Sequence, residues 1–308
     1  MRVLILGASG FIGFPAAQAF VRAGHIVYGV TRSQEKAKQL AGEEIIPIVA
    51  EVADRTKWLP LVATLDAIVD ALGGSDLQKI CSDNFNETVA AARELRPAHA
   101  PKLGYIYTSG AWVHGDNRTD IITDTTPIAS SIELTSWRPA VEQVIATSSA
   151  VNGLVIRPSL LYGRSGSLLA LMFKSAYEGK AKWFGTPGGR FSLIHQDDLA
   201  TMFVLAAEKS SILGGTIFDA ANDFSESVDE ILQKLVQISG ASGYEYLQPT
   251  NLFQVALGTS SSLRPYLARS LLGWQPCKAG LIDHLDIYYN AWKANRVHKK
   301  SLREKAKI

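Results

Sequence analysis

The chain has 308 residues, 47% of them hydrophobic and 19% charged, with 31 Lys and Arg against 29 Asp and Glu. That is the composition of an ordinary globular protein with a large core, and a formal net charge of +2 argues against bulk attraction to nucleic acid or to a membrane surface. The two cysteines, Cys81 and Cys277, stand far apart; they supply neither a disulfide framework nor a metal cluster and fit a reducing, cytoplasmic setting. No apolar stretch is long enough to span a bilayer, and the chain opens directly in a core strand, so neither a membrane anchor nor a cleaved leader is expected.

The expected elements begin with an apolar strand over residues 1–6 (MRVLIL), followed at once by GASGFIG. Gly7, Gly10 and Gly13 stand three apart. A glycine at 7 turns the chain off the strand, one at 10 removes the Cβ that would hold a diphosphate away from the backbone, and one at 13 lets the following helix (11–23) lie close on the sheet. The start of that helix offers free N–H groups and a partial positive charge to phosphates. A second strand at 25–30 completes the βαβ context in which such a glycine triplet binds a dinucleotide.

The alternation continues with a helix at 33–41, a strand at 44–50, a helix at 55–63, a strand at 66–72, a helix at 76–95 and a strand at 103–108. It predicts a doubly wound parallel sheet with helices on both faces, whose ligand lies at the carboxyl ends of the strands. Those ends carry Gly7, Ser9, Gly10, Phe11, Ile12 and Gly13, then Thr31 and Arg32, Glu51 and Val52, Ala71, Leu72 and Gly73, and Thr108 with Ser109. The second strand ends in Thr31-Arg32-Ser33 with Lys36 one turn on, and no acid stands there to accept bonds from a ribose 2′-hydroxyl. A guanidinium pairs with a 2′-phosphate, so NADP(H) is favoured over NAD(H).

Four blocks carry a family resemblance: GASGFIG at 7–13, YIYTSGAWVHG at 105–115, VIRPSLLYGRSGS at 155–167 and FSLIHQDDLA at 191–200. In this order and spacing the chain resembles the extended short-chain dehydrogenase/reductase superfamily, the NAD-dependent epimerase/dehydratase group, over residues 1 to about 235. The resemblance implies a Rossmann-type domain over 1–160 with a return segment at 191–220. It also implies a smaller substrate lobe from 161–190 and 221–298, with a basic tail at 299–308. Family members pair Tyr-x-x-x-Lys on a helix with a hydroxyl after the fifth strand. Here Leu134 and Arg138 fall on the Tyr and Lys positions, or a one-residue gap puts Ser136 or Trp137 near the Tyr site; Gly110 falls on the hydroxyl position, with Thr108 and Ser109 just before it, which marks an atypical member. Leucine carries no proton, and arginine binds a ribose hydroxyl but relays protons poorly. The candidate catalytic residues are then Ser109, His114, Arg138 and Tyr162, with Arg138, Pro158 and Ser159 beside the cofactor as the resemblance implies. Arg157 is expected to pair with a helix or loop acid.

The second half reads as substrate side. A flexible 163–167 turn precedes a helix at 168–178, and residues 183–190 form a glycine-rich loop in which Arg190 faces an anionic group or solvent. His195 is read as structural, with Asp197 as N-cap and Asp198 in the first turn of the next helix. Helices are expected at 225–239 (capped near Ser225 or Glu226), 251–257, 263–272 and 280–294. Family members often dimerise through helices equivalent to 76–95 and 131–149. Ala306-Lys307-Ile308 loosely resembles a peroxisomal address. The aromatic content and the lack of a clear diphosphate clamp point to an NADP(H)-dependent oxidoreductase acting on a small or medium carbonyl or conjugated substrate. The alternatives are an NADP-binding sensor or scaffold without turnover, and a redox-neutral isomerase. No metal, nucleic acid or membrane is expected.

Overall fold

The computed structural model describes residues 1–74 and 76–305, the stretch 297–305 as backbone alone. In chain order the elements are β1 (Arg2–Leu6), α1 (Gly13–Arg22), β2 (Ile26–Thr31), α2 (Gln34–Gly42), β3 (Ile46–Val49), β4 (Ala67–Asp70), α3 (Leu77–Leu95) and β5 (Gly104–Thr108). There follow β6 (Ile121–Ile122), α4 (Arg138–Ala146), β7 (Asn152–Pro158), β8 (Leu160–Tyr162), α5 (Ala170–Tyr177), β9 (Ala181–Phe184), β10 (Arg190–His195) and α6 (Gln196–Glu208). The chain closes with α7 (Ser210–Leu213), β11 (Ile217–Ala220), β12 (Ser225–Ser227), α8 (Val228–Ser239), β13 (Tyr244–Leu247), α9 (Leu252–Leu257), β14 (Ser262–Leu263) and α10 (Leu285–Lys305).

Seven strands form one parallel sheet in the order β11-β7-β5-β4-β1-β2-β3. The doubly wound expectation is therefore met. β1 explains why its sequence is a continuous apolar run: Val3 and Ile5 enter the core on one face, Leu4 and Leu6 the core on the other. The first core holds α1 and α6; the second holds Trp58, Phe85 and Ile145 from the opposite layer. A third core gathers Tyr162, α5, Trp183, Phe191, α8, Leu257 and α10 into the smaller lobe.

Several local expectations change. The helix expected at 55–63 is two 3-10 turns, Arg55–Lys57 and Leu59–Ala63, because Pro60 enters the second at its start. Trp183 and Phe184 belong to β9, which pairs with β13, so the expected glycine-rich loop shrinks to 185–189. Ser225 and Glu226 lie in β12, antiparallel to β10, and Ser227 caps α8 instead. The N-cap of α6 is His195, whose Nδ1 accepts from Asp197 N at 3.1 Å; Asp197 stands in the first turn. Residues 268–272 form one π-helical turn that, with Trp274, packs into the first core rather than the substrate lobe. α10 begins later than expected and runs through Lys305, so the tail expected from 299 is helical there, and Ala306-Lys307-Ile308 lies outside the described residues.

The helix expected across 131–149 is the most consequential case. It starts only at Arg138, with Pro139 in its first turn, and Glu133–Thr135 before it is a 3-10 turn. α4 then lies close on β7 at Gly153, where an added Cβ would stand 2.0 Å from the Ile145 carbonyl oxygen. Gly153→Ala must push α4 off the sheet, at a cost of about 1–3 kcal/mol. Chemical denaturation should show that loss as a lower midpoint at unchanged slope.

Candidate active site

The glycine loop leaves β1 through Gly7, at φ +79°, where a Cβ would stand 2.8 Å from Ala71 O. Gly13 is as constrained: its Cβ would sit 2.2 Å from Gly7 O. Gly10 is different, since it is exposed and a Cβ there would meet only Gly7 O at 3.1 Å and otherwise fill the open cradle. No side chain caps α1 and no acid lies in its first turn, so its N-terminal N–H groups and dipole face that cradle uncompensated. Ser9 Oγ bonds Thr31 Oγ1 at 2.9 Å and ties the loop to the end of β2. Phe11 leans against Gly166, its ring 2.6 Å from where a Cβ there would be.

Beyond Thr31, Ser33 caps α2 by accepting from Lys36 N at 3.3 Å. Arg32 is exposed and makes no hydrogen bond or ion pair among the described residues. Glu51 is exposed at the end of β3; Val52 O accepts from the buried Trp58 indole at 3.0 Å. Ala71, Leu72 and Gly73 follow β4 on the other side of the glycine loop, with Leu72 N bonded to Asp70 Oδ1 at 3.3 Å. These features fit a dinucleotide along the carboxyl edge of the sheet, with Arg32 and Lys36 at one end and Thr108, Arg138, Pro158 and Ser159 at the other. Two buried hydroxyls at that second end, Thr108 Oγ1 and Ser159 Oγ, have no hydrogen-bond partner among the described residues.

Arg138 stands where a lysine would be expected. Its Nη1 donates to Tyr107 Oη at 3.0 Å and to Thr108 O at 3.1 Å, and its guanidinium lies 4.8 Å over the Trp137 ring. This stacked cation is held in place by its neighbours. Leu134, in the 3-10 turn, leaves no phenol at this point.

Ser109, His114 and Tyr162 do not converge as three free groups. Ser109 Oγ donates to Glu142, a fully buried carboxylate one turn beyond Arg138 on α4. Glu142 also receives Arg157, from Nε at 3.1 Å and Nη2 at 2.5 Å, and Arg157 Nη1 lies 3.9 Å from Asp219. His114 Nε2 meets the two Asp219 oxygens at 3.0 and 2.9 Å, its side chain almost wholly buried. Arg157 thus finds its acids on both a helix and a strand. In this arrangement Ser109 Oγ gives its hydrogen to Glu142 and keeps its lone pairs for a further hydrogen bond. His114 is held on Asp219.

Tyr162 is a core residue: its hydroxyl donates to Ala279 O at 2.7 Å and accepts from Asn222 at 3.2 Å, and burial pushes its phenol further up. It fastens the 279 segment and is not placed to act as an acid on a ligand. Arg190 is likewise spoken for, its Nε on Ser225 Oγ at 2.9 Å and Nη2 on Ser225 O at 2.5 Å.

A pattern of the NAD dependent epimerase/dehydratase family matches residues 3–221. The chain belongs to that family. A family relative from Schizosaccharomyces pombe, an uncharacterized protein, is 24% identical over 94% of this chain and 100% of its own length. Among solved structures, dTDP-glucose 4,6-dehydratase from Bacillus anthracis in complex with NAD superposes with a TM-score of 0.79, at 15% identity, over 96% of this chain and 97% of that one. The human epimerase family protein SDR39U1 with NADPH gives 0.69 at 19% identity, over 94% and 99%. These likenesses show a shared fold. The sequence resemblance sets Leu134 and Arg138 against the family's tyrosine and lysine.

Sequence reasoning missed Glu142, Asp219 and Asp70. The first was readable as the acid four residues after Arg138, on the same helix face. Asp70 ends β4 fully buried, accepting from Tyr105 Oη at 2.9 Å beside the buried Cys81. Burial pushes its carboxyl up to about 6, while Tyr105, Leu72 and the Arg138 charge pull the other way. Unfolded, the same carboxyl titrates near about 4. The folded protein therefore holds this proton more tightly, and the Asp70 contribution falls as pH rises from about 4 to about 6, then stays flat. Asp70→Asn keeps an acceptor for Tyr105 and removes the titration. Its melting temperature relative to wild type should climb across that window and remain higher at pH 8; a constant difference at every pH would refute the assignment.

Proposed function

We propose that this chain is an NADP(H)-dependent oxidoreductase acting on a carbonyl or the corresponding alcohol. The observation that carries the reading is the glycine cradle flanked by Arg32, an exposed cation without a protein partner at the end of β2, with Lys36 one turn further. In this reading Arg32 pairs with the 2′-phosphate, the N-terminus of α1 holds the diphosphate, and Arg138 with Thr108 holds the nicotinamide ribose. A bound nicotinamide supplies or accepts the hydride. The protein then has to manage one proton. In the oxidative direction a substrate hydroxyl gives its proton to Ser109 Oγ as Ser109 gives its own to Glu142; in reduction the two transfers reverse. Arg157 holds Glu142 in place for this exchange. Binding without turnover is the rival reading, and Leu134 at the family's phenol position favours it.

Calorimetric titration with NADP⁺, NADPH, NAD⁺ and NADH tests the cofactor assignment. Arg32→Glu should weaken NADP⁺ by about 10- to 100-fold and leave NAD⁺ within about twofold; equal losses for both would sink the 2′-phosphate site. NADPH consumption over a carbonyl panel tests turnover. Ser109→Ala should lower kcat by about 100-fold or more with NADPH affinity retained. An unchanged rate would take Ser109 and Glu142 out of the chemistry, and tight NADPH binding with no consumption by the wild type would favour the rival.

A further inference from the structure

A cavity open to solvent lies beside the carboxyl ends of β5 and β7, between the loop after Ser109 and the end of α9. Its walls include Trp112, Leu160, Phe191 and Leu257, and its polar groups are small hydroxyls, Ser159 and Ser192 among them. None of its lining residues is charged. Elsewhere in the site Arg157 is paired with Glu142 and His114 with Asp219, and Arg190 donates to Ser225. Ser192 is also satisfied, donating to Ser261 O at 3.0 Å and accepting from Leu263 N at 2.8 Å. Ser159 is not. It lines the cavity, and its buried Oγ has no hydrogen-bond partner among the described residues, although its backbone N–H is fixed to Ala220 O at 2.9 Å.

We infer that this cavity takes an uncharged small molecule bearing one oxygen, and that Ser159 Oγ is the specificity-determining group that hydrogen-bonds that oxygen. The reasoning is one of desolvation. An anion entering here loses its water and meets no charged side chain in the lining, whereas a neutral ketone or alcohol loses little and satisfies an open hydroxyl. Trp112 and Phe191 offer a ring flat aromatic contact. A sugar nucleotide's diphosphate has no counter-charge in this cavity. The inference rests on the proposed oxidoreductase reading for the identity of the oxygen as the reacting one, but the cavity's preference is a property of this chain alone.

The test is ¹⁹F NMR titration of the full-length protein, with and without NADP⁺, using 4-fluoroacetophenone and 4-fluorobenzoate as matched neutral and anionic probes. The ketone should bind at least about tenfold more tightly than the carboxylate. Ser159→Ala should weaken the ketone by about fivefold to tenfold, and Ser159→Thr should restore it. Because Ser159 Oγ has no hydrogen-bond partner among the described residues, the alanine variant should keep its melting temperature, whereas a structural hydroxyl would lower it. Equal or tighter binding of the carboxylate, no binding of the ketone, or a ketone affinity indifferent to Ser159→Ala would each overturn the inference. Failure of NADP⁺ to bind would instead overturn the cofactor reading, while the cofactor-free titrations still decide the cavity.

Discussion

The buried contact between Glu142 and Arg157 is the constraint on which the site depends. It joins α4 to β7, and through Asp219 and His114 it extends to β11 and to the loop after β5. Charge thus adds to the sheet pairing of β7 with β11 and the packing of α4 on β7 in tying these four segments together. Each charge is out of water, so each must be met by the others, and removing one would leave a buried partner uncompensated at a cost of about 3–5 kcal/mol. The arrangement gives the Ser109 hydrogen to Glu142 and holds His114 on Asp219.

Much of the fold could be read from the sequence, for a physical reason. Continuous apolar strands such as Leu4-Ile5-Leu6, buried on both faces, and the glycines at 7 and 13, which admit no Cβ, leave local marks that one residue's neighbours suffice to interpret. The elements that were displaced are those whose form depends on a distant partner. Ser225 looks like a helix cap until β10 pairs with it, and Trp183 looks like part of a loop until β13 does. Local propensity cannot register such pairing.

The same distinction divides the site. Gly10, Arg32 and Arg138 are recognisable because their roles come from type and spacing. Ser109 and Tyr162 were chosen for type and position alone, and their roles turn on partners 33 and 117 residues away. Ser109 meets a buried carboxylate that takes its hydrogen; Tyr162 meets a carbonyl and becomes a fastener. Pro139 stands in the first turn of α4, so Leu134 lies ahead of that helix, in the 3-10 turn Glu133–Thr135.

The contact between Phe11 and Gly166 joins the glycine loop of the first half to the turn that opens the second. Arg164 reinforces it, reaching Gln18 on α1 at 3.4 Å and Asp197 on α6 at 3.0 Å. The two halves therefore do not behave as interchangeable modules. A chimera that grafts another member's lobe after β7 inherits whatever residue that lobe carries at 166, and any side chain there displaces the ring from the loop that follows Gly10. Exchange of the lobe is then also an alteration of the loop, and the junction has to be engineered as one piece.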